Sequence, residues 1–107
     1  MGTAPSHSRT SFLIPPDHPS IPGHFPGDPV VPGVVILDAV RIAAGQYIAP
    51  GLGIAALPQV KFVSALRPGL EAHIDLELRD TLLQFVVSSD EQVIAKGAFA
   101  LGAVTRP

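Results

Sequence analysis

The sequence contains no cysteine, and only 15% of its 107 residues are charged. The absence of cysteine excludes disulfide bonds and thiolate metal sites. No basic run is present and the formal net charge is −2, so the electrostatic footprint of a nucleic-acid-binding domain is missing. The four histidines lack the spacing of metal ligands. We therefore predict no nucleic-acid partner, no metal site and no cofactor.

Long hydrophobic runs are also missing. The longest apolar stretch, residues 29–37, is interrupted by Pro32 and Gly33 and ends at Asp38. Such a stretch is too short and too broken to cross a bilayer. Residues 1–11 are polar and lack the apolar centre of a signal peptide. These features predict a cytoplasmic protein without a membrane span.

Apolar residues are abundant, at 47% of the chain. A chain of this length suits a single domain with one hydrophobic core. So much apolar surface with so little charge predicts that part of the surface is covered in an oligomer. We assign residues 1–9 to a disordered N-terminal lead-in and residues 10–107 to a single domain.

Local patterns predict one long buried helix over residues 33–49. Pro32 suits a helix start, where its missing N–H costs nothing, and Pro50 ends the pattern. Between residues 34 and 44 only Asp38 and Arg41 are polar, which predicts burial on nearly all faces. Because β-branched residues are poor helix formers, propensity alone leaves a buried strand open at residues 34–37.

The remainder is strand-like. Residues 70–79 alternate between apolar and polar side chains, as a half-buried antiparallel strand does. Further strands are predicted at residues 12–14, 57–66, 82–88 and 92–101, with a turn at residues 89–91. One helix followed by antiparallel strands is an α+β pattern. A curved antiparallel sheet wrapped around the long helix is the simplest way to bury it.

Residues that could carry chemistry flank the helix start. Prolines and glycines are dense over residues 17–33, which predicts a stiff loop, and His24 lies within it. Asp38 lies just over one turn inside the helix. A histidine titrates near neutrality, and a carboxylate in apolar surroundings is costly without a partner, so the two can divide acid and base roles. Backbone N–H groups near Gly33 can bind developing negative charge.

Residues 23–39 resemble the signature of the FabA and FabZ 3-hydroxyacyl-[acyl carrier protein] dehydratases. The shared features are His-Phe, a glycine and spaced prolines, Pro-Gly, a short apolar run and an acid, with matching spacing from His24 to Asp38. Residues 60–69 are similar to the family's next strand and its Pro-Gly turn. The resemblance implies a hot-dog fold and a homodimer with active sites at the interface. There the histidine of one subunit faces the carboxylate of the other.

The resemblance also implies dehydration of 3-hydroxyacyl thioesters to trans-2-enoyl thioesters in fatty-acid or related polyketide and lipid synthesis. The acyl group would be attached to the phosphopantetheine arm of acyl carrier protein, or to coenzyme A. His24 would remove the α-proton and Asp38 would protonate the departing 3-hydroxyl group. The backbone N–H of Gly33 would donate to the thioester oxygen, with Val34 and Phe25 in the substrate-binding part of the site.

One position departs from the family pattern. A glutamine usually follows the carboxylate by one helical turn and orients it, whereas this chain has Ile42. Two alternatives therefore stay open, a hot-dog acyl thioesterase and a non-catalytic hot-dog partner subunit. The intact His24 loop argues against the thioesterase, and Ile42 favours the non-catalytic subunit. The structural alternative for Asp38 is an ion pair with Arg41 at i, i+3.

Overall fold

The computed structural model describes residues 7–17, 30–47 and 52–103. Within these ranges the backbone forms five strands and one helix. They are β1 (His7–Leu13), α1 (Gly33–Tyr47), β2 (Leu52–Phe62), β3 (Glu71–Arg79), β4 (Leu82–Ser89) and β5 (Gln92–Ala103). The strands form one antiparallel sheet in the order β1-β3-β4-β5-β2. The predicted α+β class is confirmed.

The first strand begins earlier than the sequence predicted. Residues 7–9, which we assigned to a disordered lead-in, are part of β1 and pair with β3. These three residues are all polar, so no hydrophobic period marks them. Backbone pairing with β3 holds them instead, and across the strands Asp75 Oδ1 lies 3.7 Å from Arg9 Nε and 3.5 Å from His7 Nε2. Residues 1–6 lie outside the described residues.

The second strand is displaced from its predicted limits. It starts at Leu52 rather than residue 57 and ends at Phe62 rather than residue 66. Beyond Phe62 the chain leaves the ladder but stays beside β5, since the backbone N–H groups of Val63 and Ser64 both donate to the carbonyl of Ile94. This turns the chain away from the sheet and towards the start of α1.

The hydrophobic core lies between α1 and one face of the sheet. Ile36, Val40 and Ala44 of α1, spaced four residues apart, are buried there. Phe85 and Phe99 stack beneath them with ring centroids 5.1 Å apart. The other strand residues of the core mostly alternate along β3, β4 and β5, as a sheet with one buried face requires, and Ile94 is the extra buried residue at the irregularity in β5: Ala72, Ile74, Leu76, Leu83, Val87, Ile94, Ala95 and Leu101.

The opposite side of α1 is exposed in the single chain. Val34 is 74% exposed and Ile42 is 53% exposed. The sequence predicted burial on nearly all faces, but one sheet covers only one side of a helix, so the remaining apolar side chains face outward. In the ranges described here, no helix is long and apolar enough to cross a membrane.

The β4–β5 hairpin closes through a two-residue turn at the predicted position. Ser89 pairs with Gln92, and the two turn residues both have positive φ, 53° at Asp90 and 64° at Glu91. Positive φ at both central residues is the pattern of a type I′ turn, whose twist matches that of the flanking strands. The register that the turn sets shifts by one residue between Ser88 and Val87, where Ile94 is the extra residue of β5.

Ser89 ties this hairpin to β3. Its hydroxyl is buried and donates to the carbonyl oxygen of Glu71 at 2.8 Å. Ser89→Ala is expected to destabilise the fold by about 1 kcal/mol, because it leaves a carbonyl without its partner. Thermal denaturation would show a fall of roughly 4 °C or more. Ser88→Ala, at the neighbouring and less buried position, is the matched control, and equal effects of the two changes would contradict the assignment.

Candidate active site

The start of α1 is anchored by the chain that follows β2. The backbone N–H of Val31, a buried residue, donates to the carbonyl of Leu66 at 2.8 Å. The carbonyl of Pro32 accepts from the N–H groups of Val35 at 3.0 Å and Ile36 at 3.3 Å. Pro32 is therefore the residue that caps the helix, directly before the first helical residue. These bonds fix both the position and the direction of the first turn.

Gly33, the first residue of α1, lies against the ring of Phe62. A Cβ atom added to Gly33 would lie 2.8 Å from the Phe62 ring atom Cζ, closer than real Cβ contacts allow. A side chain at this position would require the ring of Phe62 to move aside. Within the described part of the chain, no backbone carbonyl accepts from the N–H of Gly33 or of Val34. The first turn thus presents donors of the kind that can bind a partial negative charge.

Asp38 lies on the exposed side of α1, and its side chain is 55% exposed. Its Oδ1 accepts a hydrogen bond from Arg41 Nη2 at 2.5 Å, in an i, i+3 ion pair. The ion pair with Arg41, stated from the sequence as the structural alternative for Asp38, is therefore present. An exposed pair of this kind contributes only about 0–1 kcal/mol to stability. Among the described residues Oδ2 has no hydrogen-bond partner.

Val34, Asp38 and Ile42 form one row along the exposed side of α1, because residues four apart lie one above another on a helix. Ile42 also lines a cleft of about 290 Å³ between α1 and β1, together with Phe12 and Gln46. The position that carries a glutamine in the family is thus an apolar residue that cannot hydrogen-bond Asp38.

The structure brings together three of the five predicted site residues. Gly33, Val34 and Asp38 share the first turns of α1. His24 and Phe25 lie outside the described residues, so their roles stay predictions. Within the described ranges, no group of three or more histidine, aspartate or glutamate side chains is arranged to hold a metal ion.

Phe62 is the residue of this region that sequence reasoning missed. The segment around it was matched to the family's next strand, but strand alternation does not reveal which helix residue a ring will touch. The signal that was available is the unexplained glycine at the helix start. A glycine there is expected where another group approaches the backbone closely.

The antiparallel sheet packed on a single helix is the hot-dog fold, and the chain is a member of the FabZ-like dehydratases of that fold. Within them it belongs to the ApeI-like family, described as ApeI dehydratase, whose sequence profile matches residues 3–98. A chain of the dehydratase heterocomplex ApeI:P from Xenorhabdus doucetiae superposes with a TM-score of 0.77 at 28% identity. The match covers 92% of this chain and 88% of that one.

Relatives named 3-hydroxyacyl-[acyl-carrier-protein] dehydratase FabZ are also similar. The protein of Zymomonas mobilis is 33% identical over 57% of this chain and 44% of its own length. The protein of Caulobacter sp. strain K31 is 27% identical over 85% of this chain and 64% of its own length. The chain thus spans less than half of the first relative and under two thirds of the second.

More distant solved structures share the fold alone. The fluoroacetyl-CoA thioesterase FlK superposes with a TM-score of 0.62 at 19% identity. The protein smu.793 of Streptococcus mutans, solved bound to acetyl CoA, superposes with a TM-score of 0.72 at 15% identity. Such likeness confirms the hot-dog architecture and carries no information about which reaction this chain catalyses.

Proposed function

We propose that the protein catalyses the dehydration of 3-hydroxyacyl thioesters to trans-2-enoyl thioesters, with the acyl group on acyl carrier protein or coenzyme A. The observation that carries the proposal is the placement of the Gly33 N–H end of α1 and the Asp38 carboxylate on adjoining turns. That placement occurs in a chain of the ApeI-like dehydratase family. Reactions of this class in fatty-acid or related lipid synthesis would place the protein in the cytoplasm.

In the proposed reaction, His24 takes the proton from the carbon α to the thioester carbonyl. The electron pair of that C–H bond forms the carbon–carbon double bond as the bond to the 3-hydroxyl oxygen breaks. Asp38, once it has left its ion pair with Arg41 and bound a proton from solvent, donates that proton to the departing oxygen, so that water leaves. Proton return from His24 to Asp38 through solvent restores both groups.

Backbone donors assist the same step. Negative charge builds on the thioester oxygen as the α-proton leaves, and the N–H of Gly33 is placed to donate to it. A preorganised donor of this kind contributes about 3–4 kcal/mol to transition-state stabilisation. Acid–base assistance by positioned side chains adds roughly 10²–10⁴-fold. Val34 and Phe25 are proposed to contact the substrate beside these groups.

A second subunit completes the proposed site. In the single chain the Asp38 carboxylate is half exposed, and Val34, Ile42 and Phe62 leave apolar surface around it. Covering this surface with a partner would remove water from the carboxylate. We propose a homodimer in which the His24 loop of one subunit faces Asp38 of the other. The exposed apolar row on α1 supports the proposal, since burying it lowers the free energy of association.

The proposal predicts a specific product. Incubation with 3-hydroxyacyl thioesters of acyl carrier protein and of coenzyme A is expected to yield the 2-enoyl thioester, with the thioester bond intact. The ultraviolet absorbance of the conjugated enoyl thioester measures loss of the hydroxyl group. A thiol reagent measures cleavage of the thioester bond. His24→Ala protein is the control for background reaction. Release of free thiol without loss of the hydroxyl group would reject dehydration and identify a thioesterase.

A second candidate, a non-catalytic partner subunit, is favoured by two observations. The similar Xenorhabdus doucetiae structure is described as a heterocomplex, and Ile42 cannot orient Asp38. This candidate predicts no turnover by the protein alone. It predicts turnover with a second hot-dog subunit, at a rate that Asp38→Asn in this chain does not change. A loss of that activity in the Asp38→Asn protein would instead assign the catalytic carboxylate to this chain.

A further inference from the structure

The face of the sheet turned away from α1 carries most of the charged strand residues. Strand register places them in rows across all five strands. One row runs Arg9, Asp75, Val86, Lys96, Lys61. The next row runs His7, Glu77, Gln84, Ala98, Gln59. The sheet separates this outer face from Asp38, so a ligand bound there would be independent of the proposed function.

Charges on the β1–β3 half of the outer face are paired. Asp75 contacts both Arg9 and His7, and Glu77 accepts from Arg79 Nη2 at 3.2 Å. Strands lie about 4.8 Å apart, so these carboxylates are roughly 10 Å from β5, about one Debye length at 0.1 M salt. They are therefore too distant to neutralise cations on the other half.

The β2–β5 half carries two unpaired cations. Lys61 of β2 lies directly opposite Lys96 of β5. Among the described residues no carboxylate lies within salt-bridge distance of either ammonium group. Like charges directly opposite each other on neighbouring strands destabilise a sheet. A bound anion would remove that repulsion.

Side chains around the two lysines form a shallow cleft of about 290 Å³. Ala98 is its floor, because its small side chain stands between Gln59 on one neighbouring strand and Gln84 on the other. Two carboxamides thus flank the floor, and the two lysines lie in the adjacent row. The cleft offers two positive charges and neutral hydrogen-bond donors around a small apolar floor.

We propose that Lys61 and Lys96, with the carboxamides of Gln59 and Gln84, bind a phosphate dianion over Ala98, either free phosphate or the terminal group of a small phosphate ester. A phosphate monoester carries close to two negative charges at neutral pH and three acceptor oxygens. Two ammonium groups match that charge, and the carboxamide N–H groups match the remaining acceptors. A singly charged anion would balance the charge of only one of the two ammonium groups.

The test is a titration of the full chain with inorganic phosphate and, separately, with phenyl phosphate, followed by amide chemical shifts. Sodium chloride at matched ionic strength is the reference. Saturable shifts are expected at the amides of Lys96, Gly97 and Ala98. Lys61→Gln and Lys96→Gln are each expected to weaken binding about three-fold or more, the scale of one exposed charge pair. Arg79→Gln removes a cation that is already paired on the same face, so it is the matched control and leaves binding unchanged.

Tighter binding of inorganic phosphate would assign the site to free phosphate, and tighter binding of phenyl phosphate would assign it to an ester. Thermal denaturation is a second readout, since phosphate should raise the Tm of the wild-type protein more than that of the Lys61→Gln and Lys96→Gln proteins. The proposal is wrong if sodium chloride reproduces the chemical-shift changes. It is also wrong if Arg79→Gln weakens binding as much as Lys61→Gln and Lys96→Gln do. Shifts at these amides that depend on protein concentration alone would overturn it too, and would show that the face binds a second copy.

Discussion

Asp38→Asn is expected to lower kcat for dehydration by about 10²–10⁴-fold, with a smaller effect on KM. Asparagine keeps the shape of the side chain but cannot transfer a proton, so the 3-hydroxyl group would have to leave as hydroxide. His24→Ala is expected to cause a loss of the same order, because no base then removes the α-proton. Steady-state kinetics on a 3-hydroxyacyl thioester measure both changes.

Arg41→Gln separates the chemical role of Asp38 from its structural one. It breaks the ion pair between Arg41 and Asp38 but keeps the carboxylate. The pair is exposed, so its loss alone should change Tm by little. If Arg41→Gln removes as much activity as Asp38→Asn does, the ion pair rather than proton transfer is what activity requires. Near-full activity of the Asp38→Asn protein alone would remove Asp38 from the site.

Gly97→Ala is expected to lower the Tm by about 10 °C or more. A Cβ atom at Gly97 would collide with the carbonyl oxygen of Gln59 and would lie 2.9 Å from both Val60 Cα and Phe85 Cζ. Two of these atoms belong to the β2 backbone, so relief requires β2 to move away from β5. The ladder between these strands and the packing of Phe85 would both be disturbed.

Gly45→Ala is the matched control for this change. Gly45 lies on the exposed side of α1, and a Cβ atom there would meet no atom of the described residues within 4 Å. Gly45 lies on the same side of α1 as Asp38 and Ile42, so the comparison is made under conditions where the protein is monomeric. Alanine in an exposed helix is more stable than glycine by about 0.5–1 kcal/mol, so this change should raise the Tm of the monomer. A Gly97→Ala protein as stable as the wild type would show that β2 and β5 are not as close as the structure places them.

Strands with a strict period of two or with a clear turn between them were predictable, as β3, β4 and β5 show, whereas β1 and the start of β2 were not. Residues 70–79 alternate, and β3 begins within one residue of the predicted start. The first half of β2 is uniformly apolar, and the strand contains Gly53 and Pro58, two residue types that are uncommon inside strands. No local pattern therefore indicates a strand there. The register of β2 against β5 shifts at two places in that half. Its existence depends on pairing with β5, a contact between distant parts of the chain that no local pattern shows.

The position of Gly33 and Asp38 on the helix was predictable, whereas the exposure of that helix was not. The motif identified Gly33 and Asp38, and the structure places them on adjoining turns of α1. Composition predicted a helix buried all round, yet Asp38 is half exposed in one chain. Composition indicates how much apolar surface must be covered. Which side of α1 the sheet covers depends on tertiary packing, which composition does not show.

The close contact between Gly33 and Phe62 links two positions that are distant in sequence. Any side chain at position 33 needs the room that the aromatic ring now fills, and a smaller residue at position 62 would release it. Phe62 is 46% exposed, so its ring can also yield by rotating towards solvent. In other members of the family, a larger residue at the helix start should be found together with a reduced one at the end of the second strand.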